Sequence, residues 1–184
     1  NKTSRLRLKL LPPPVIAERL LRREIDLGVF HGPLGDSSVR QELLSDDSIV
    51  CVLPQGHPLA GKSAITPREL QGVALISGSV TGPEAWMHDI RATFQAEGLE
   101  YVLSIECHHS QHVYDMVATG IGIGLVPPML LNEMSDRPVV VRPLIPRVSS
   151  PLIAMLPANL PPAQVTTLLI NTMRRVLKKR VAGP

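Results

Sequence analysis

Residues 101–127 read YVLSIECHHSQHVYDMVATGIGIGLVP, and the order of patterns in this stretch decides the fold class. Residues 101–107 form an extended, strand-like run. The polar step from His108 to Gln111 leads into a helix over about 113–119. Gly120 to Gly124 then makes a tight turn into a short apolar strand ending at Pro127. Strand, helix, strand is the repeating unit of an α/β protein.

The same alternation extends in both directions. Residues 73–76 predict a strand that stops in the small polar loop Ser77-Gly78-Ser79-Val80-Thr81-Gly82-Pro83, and a helix follows over about 84–97, ended by Gly98. Residues 41–53 predict one extended stretch. Its centre, Ile49-Val50-Cys51-Val52-Leu53, is continuously apolar, as a strand buried on both faces should be. Pro54 to Pro58 breaks it, and Thr66-Pro67-Arg68-Glu69 has the capping-box pattern of a short helix start. Further back, Arg5-Leu6-Arg7-Leu8-Lys9-Leu10 alternates with period 2, which predicts a strand with one buried face. Pro12-Pro13-Pro14 ends it and leads into a helix over 15–23 with Ile16, Leu20 and Leu21 on one stripe. Residues 25–30 predict a strand closed by His31-Gly32-Pro33, giving a βαβ unit with a parallel pair. On the other side, 139–144 and 152–156 predict strands. A long helix over 162–180 carries apolar residues at Val165, Leu168, Leu169, Met173, Val176 and Leu177.

Composition narrows the function. The chain has 184 residues and is 44% hydrophobic, enough to bury a core in one domain or two small lobes. No apolar run reaches the roughly 18–20 residues needed to span a bilayer, and the start lacks the apolar stretch of a signal peptide. A cytoplasmic location is therefore expected. Net charge is +3 and aromatic content 3%, which argues against a nucleic-acid surface built on charge or stacking. Eighteen prolines fall mostly between apolar runs, as loop punctuation.

Four stretches, in order, resemble the effector-binding domain of LysR-type transcriptional regulators. They are Arg23-Glu24-Ile25-Asp26-Leu27-Gly28-Val29; Leu43-Leu44 through Ile49 to Ala60 with its His57-Pro58-Leu59-Ala60 turn; Ile65 to Leu70 leading to Leu75-Ile76; and Met116 to Pro127. The resemblance covers nearly the whole chain. It implies an α/β fold of two Rossmann-like lobes joined by two crossover strands, like a type 2 periplasmic binding protein. Lobe I would comprise 1–51 plus 149–184 and lobe II 52–148, with crossings near 50–53 and 146–152. It further implies a small-molecule effector held between the lobes, self-association as dimer or tetramer, and DNA contact only through an N-terminal winged helix-turn-helix. That head, its linker helix, and the first strand and helix of lobe I are expected to precede Arg5 in a longer protein.

In α/β folds ligands sit at the carboxyl ends of strands, where helix N-termini offer N–H groups and partial positive charge. The candidate effector residues are Ser77, Gly78, Ser79, Val80 and Thr81 in one strand-end loop, and His109, Ser110 and Gln111 in another. His31 and Pro13 fall where relatives place ligand-contacting residues, though Pro13 has no donor. These donors point to an anionic ligand such as a small carboxylate. The competing reading of both loops is ordinary turn and cap chemistry.

Other motifs are weighed and set aside. His108 and His112 are i, i+4 and invite a metal, but lack a convergent partner set. Cys51 and Cys107 sit in apolar strands without a neighbouring cation, so core cysteine is preferred over a redox pair. Gly120 to Gly124 follows a helix and lacks the Lys-Ser/Thr of a phosphate loop. Ser77-Gly78-Ser79 is not a nucleophile elbow, and no carboxylate pair stands out. No metal, cofactor or enzymatic turnover is expected. Arg174-Arg175 and Lys178-Lys179-Arg180 are read as a solvated helix face. The runner-up is a periplasmic-type solute-binding protein, which shares the architecture and differs in export.

Overall fold

The computed structural model describes residues 5–32, 38–78, 85–107, 110–128 and 136–181. In chain order the elements are α1 (Pro13–Leu21), β1 (Gly28–His31), β2 (Val39–Ser45), β3 (Val50–Pro54), β4 (Leu75–Gly78), α2 (Ala85–Ala96), β5 (Leu103–Cys107), α3 (Ser110–Ala118), β6 (Ile123–Val126), β7 (Val139–Pro143), β8 (Leu152–Pro157) and α4 (Gln164–Val181). Contacts divide the chain into two compact units, Asn1–Asp46 with Pro151–Pro184, and Asp47–Ser150.

The first unit holds a three-stranded sheet in the order β1-β8-β2, with β8 antiparallel to both neighbours. Helix α1 starts on consecutive prolines, whose missing N–H groups are unpaired in any first turn. It buries Ile16, Ala17 and Leu20 against Val39 and Met155. Gly28 permits this approach: a Cβ there would lie 2.2 Å from Ile16 Cγ2. The helix ends with Arg23 in the left-handed region (φ 58°). The N–H groups of Arg23 and Glu24 donate to the carbonyls of Leu20 and Arg19 at 3.0 and 2.9 Å, a Schellman closure. Along α4, Thr166 and Ile170 are buried, while Val165, Leu168 and Val176 are 44%, 67% and 45% exposed. Arg174 ties this helix to β2, donating to Leu43 O at 3.1 Å and Glu42 Oε2 at 2.9 Å.

Two expectations fail in this unit. Residues 5–10 form no strand, and Leu6, Leu8 and Leu10 are 64%, 96% and 80% exposed. The parallel pair is accordingly absent: β1 is laddered to antiparallel β8. Period-2 alternation specifies which faces a strand would have, but ladder hydrogen bonds make the strand, and no described neighbour pairs with 5–10. The stretch 41–53 is likewise two strands, β2 and β3, which belong to different sheets.

The second unit is built on a five-stranded sheet in the order β5-β4-β6-β3-β7. β4 is parallel to β5 and β6; β3 is antiparallel to β6 and β7. The apolar run of β3 is explained by burial on both faces. Ile49, Cys51 and Leu53 join a cluster with Met87, Ile90 and Phe94 of α2, and Val50 and Val52 join another with Val113, Tyr114 and Val117 of α3. Gly124 lets α3 lie close, since a Cβ there would be 2.6 Å from Val113 Cγ1. Both helices end in Schellman closures on glycines with positive φ, Gly98 (69°) and Gly120 (83°). The capping-box pattern forms a 3-10 turn, Pro67–Leu70, in which Glu69 Oε2 accepts from the Thr66 N–H at 2.8 Å. The two ends of this unit are zipped together. Ser48 and Ser149 form an antiparallel bridge, the Ile49 N–H donates to Val148 O and the Ser150 N–H to Asp47 O, both at 2.9 Å.

Candidate functional site

Three parallel strands, β5, β4 and β6, end along one edge of the second unit's sheet. Register places Ser77 beside Glu106 and Leu125, and Gly78 beside Cys107. The chain leaves Gly78 and re-enters helix at Ala85; it leaves Cys107 and re-enters helix at Ser110. The two predicted loops therefore start next to each other, and each delivers the chain to a helix start.

Within this edge the predicted residues differ in availability. Ser77 is fully buried; its Oγ donates to Leu125 O at 2.7 Å and lies 3.5 Å from Met87 Sδ. The hydroxyl locks β4 to β6 and braces α2, so Ser77 shapes the edge from inside. Gly78 is half-buried at the strand end, Ser110 is the half-buried first residue of α3, and Gln111 is exposed. Ser79, Val80, Thr81 and His109 lie outside the described residues, as does His108. The remaining two candidates belong to the first unit. His31 is the half-buried last residue of β1, in register with Leu152, and is followed by Gly32, whose N–H donates to Pro151 O at 2.8 Å. Pro13 is the first residue of α1.

The end of β5 carries the buried Cys107 next to the exposed Glu106. Cys107 closes β5 with its Sγ 3.7 Å from Met116 Sδ, and burial pushes its thiol pKa up. The Cys51 thiol is pushed up to about 12 by burial and then by the Glu69 carboxylate. Cys51 and Cys107 face different clusters, and β4 and β6 lie between their strands. Three strand spacings make roughly 14 Å, too far for a disulfide. Among the described residues no group of three or more His, Cys, Asp or Glu converges on a metal site, and no helix is long and apolar enough to cross a membrane. A groove of about 540 Å³ lies in the first unit beside Leu43, Leu44, Asp46, Arg174 and Lys178, and none of the predicted residues lines it.

Tyr114 of α3 is fully buried, in the cluster that also holds Cys107 and Val126, the last residues of β5 and β6.

Residues 2–178 match the family model of the LysR substrate binding domain. The chain is 36% identical over 132 residues to the transcriptional activator protein LysR of Escherichia coli K12, covering 70% of this chain and 41% of that protein. Its fold matches the regulatory domain of Synechocystis CcmR, solved in complex with 2-PG, with a TM-score of 0.76 at 19% identity, covering 94% of this chain and 83% of the other. It also matches the BenM effector-binding domain, solved with its effector benzoate, with a TM-score of 0.75 at 20% identity, covering 95% and 79%. The chain spans about half the length of the curated relatives it matches.

Proposed function

The chain belongs to the LysR substrate-binding-domain family, and from that premise we propose that it is the effector-sensing part of a transcriptional regulator whose ligand is a small anionic metabolite, a carboxylate. The observation that supports this reading is the adjacency of Gly78 and Cys107 at the carboxyl edge of β4 and β5, with helix α3 starting three residues beyond Cys107. That edge combines backbone N–H groups at a helix start, the Ser110 hydroxyl and the Gln111 amide, with the partial positive charge of the helix end. Such donors orient an oxyanion through charge-assisted hydrogen bonds.

The ligand is bound and released unchanged. It acts by having different affinity for two arrangements of the protein, and the difference sets how far the equilibrium moves. In the complete regulator that shift passes to a DNA-binding domain through contacts between copies, in the cytoplasm. BenM is a precedent for an aromatic carboxylate as effector in this fold.

The test is a thermal-shift screen of the full-length regulator against small carboxylates and their neutral amides. Stabilisation by a carboxylate, and its loss with the matching amide, is the expected result. A ligand at one hundred times its Kd stabilises by about 2.7 kcal/mol, which is readily measured. Stabilisation by neutral or cationic compounds alone refutes the anionic assignment.

A further inference from the structure

We infer that β2 is a self-association edge, on which a second copy of this chain adds its own β2 antiparallel about a two-fold axis at Gln41. The inference concerns how copies meet and does not depend on which ligand the effector site takes.

Among the described strands, β2 ends its sheet and pairs with β8 alone. An end strand offers a row of backbone N–H and C=O groups to another strand. A two-fold axis normal to the sheet pairs β2 with its copy antiparallel and keeps each side chain on its own face. Directly opposite residues point to the same face, so the axis passes through a residue. With the axis at Gln41, Val39 lies opposite Leu43 of the second copy, and Arg40 lies opposite Glu42 of the second copy. Each match occurs twice. Opposite charges directly across such a pair attract, and like charges repel. Moving the axis by one residue sets Arg40 against itself or Glu42 against itself, so the charges select one register.

The groups stand ready for this contact. Glu42 is held by Arg40 of the same strand at 3.1 Å and by Arg174 of α4 at 2.9 Å, so its carboxylate is in place before a copy arrives. In the pair, two arginines and two glutamates alternate across the axis. Leu43 is 53% exposed, and the second copy's Val39 covers it on the same face. The other end strands lack this property. β1 carries no Lys, Arg, Asp or Glu, and β5 carries Glu106 alone. β7 carries Arg142 alone, turned back onto the carbonyls of Val141 and Ala60 at 2.8 and 2.6 Å. Among the described end strands, β2 alone complements itself in charge. A contact this short buries little surface, so the association is a reversible one.

The experiment reverses charges in the 184-residue chain and follows association by analytical ultracentrifugation. The wild type is expected to dimerise at or below about 100 μM, a weak affinity. Arg40→Glu and Glu42→Lys each set like charges across both contacts, and each is expected to weaken self-association about tenfold or more. An equimolar mixture of the two variants is expected to restore it, because every cross-strand contact in the mixed pair joins opposite charges. A monomeric wild type, reversals that leave association unchanged, or a mixture that fails to recover it each overturns the assignment. Gln41→Cys gives a second readout with both charges left in place. Residue 41 meets its own copy at a Cα separation of about 4.5–5.5 Å, so mild oxidation is expected to link two copies by a disulfide. The native Cys51 and Cys107 are buried and supply little background. Absence of that link overturns the register, including where a charge-reversed variant fails to fold.

Discussion

The two units use the same ingredients and close them differently. In the second, both faces of the sheet are covered, with fourteen buried residues in one cluster and eight in the other. In the first, a cluster of five described residues lies under α1, α4 packs on β2 with Leu44 and Ile170 buried, and Leu6, Leu8, Leu10, Leu21, Leu43 and Leu168 are more than half exposed. The helix ends differ in the same sense. The second unit places glycine at the left-handed position after α2 and α3, whereas the first places Arg23 there after α1. What separates the units is how much apolar surface the layers enclose: the described residues of the second form two large clusters, one on each face of its sheet, and those of the first a small one under α1.

The sharpest test of this contrast is a pair of truncations. Phe94→Ala empties the better-covered core and is expected to cost about 3–5 kcal/mol. Leu20→Ala, equally buried in the first unit, is expected to cost nearer 2 kcal/mol, because a thinly covered site collapses around the gap more easily. Chemical denaturation of each variant measures both. Equal losses would mean that the first unit is as tightly packed as the second.

Alkali provides the second test, since every cysteine and tyrosine of the chain lies in the second unit. The Cys51 thiol moves from 9.0 to about 12 on folding, by burial first and the Glu69 carboxylate second. Above pH 9 the unfolded chain gives up this proton while the folded chain keeps it, so stability falls as pH rises, by about 1.4 kcal/mol per unit until about pH 12. Below pH 9 the thiol contributes no slope. Tyr101, raised from 10.0 to about 12 by burial, adds a slope of the same sign over its own window. Melting curves between pH 8 and 10.5 should show the decline, and Cys51→Ala should reduce it, leaving the part that Cys107 and Tyr101 contribute. A decline that persists undiminished in that variant would assign it elsewhere.

The smallest effect has the opposite sign. Arg23→Gly relieves a left-handed backbone cost of about 1–2 kcal/mol and adds chain entropy worth about 0.5–1 kcal/mol. A net gain near 0.5–1 kcal/mol in denaturant midpoint is expected, bringing the end of α1 into line with α2 and α3.

The same contrast explains what could be read in advance. Elements whose partners are all present were legible: β3 from its unbroken apolar run, α2 and α3 from their stripes and terminal glycines, β6 from the turn before it. Residues 5–10 were misread because alternation records a face and says nothing about a neighbour. The 41–53 stretch was misread because Ser45 to Ser48 separates two sheets without any Gly or Pro to mark the break. At the site, the strand ends were legible, but the direction of Ser77 was not. Its hydroxyl turns inward to Leu125 O, which follows from three-dimensional register.

The bridge between Ser48 and Ser149 has an engineering consequence. Antiparallel partners sit about 4.5–5.5 Å apart at Cα, so the 47–150 segment enters and leaves through a single pinch point. A short turn grafted from residue 150 to 47 would give a circular chain that could be cut at an exposed tip and still fold. The second unit could then be produced and studied as a self-contained domain.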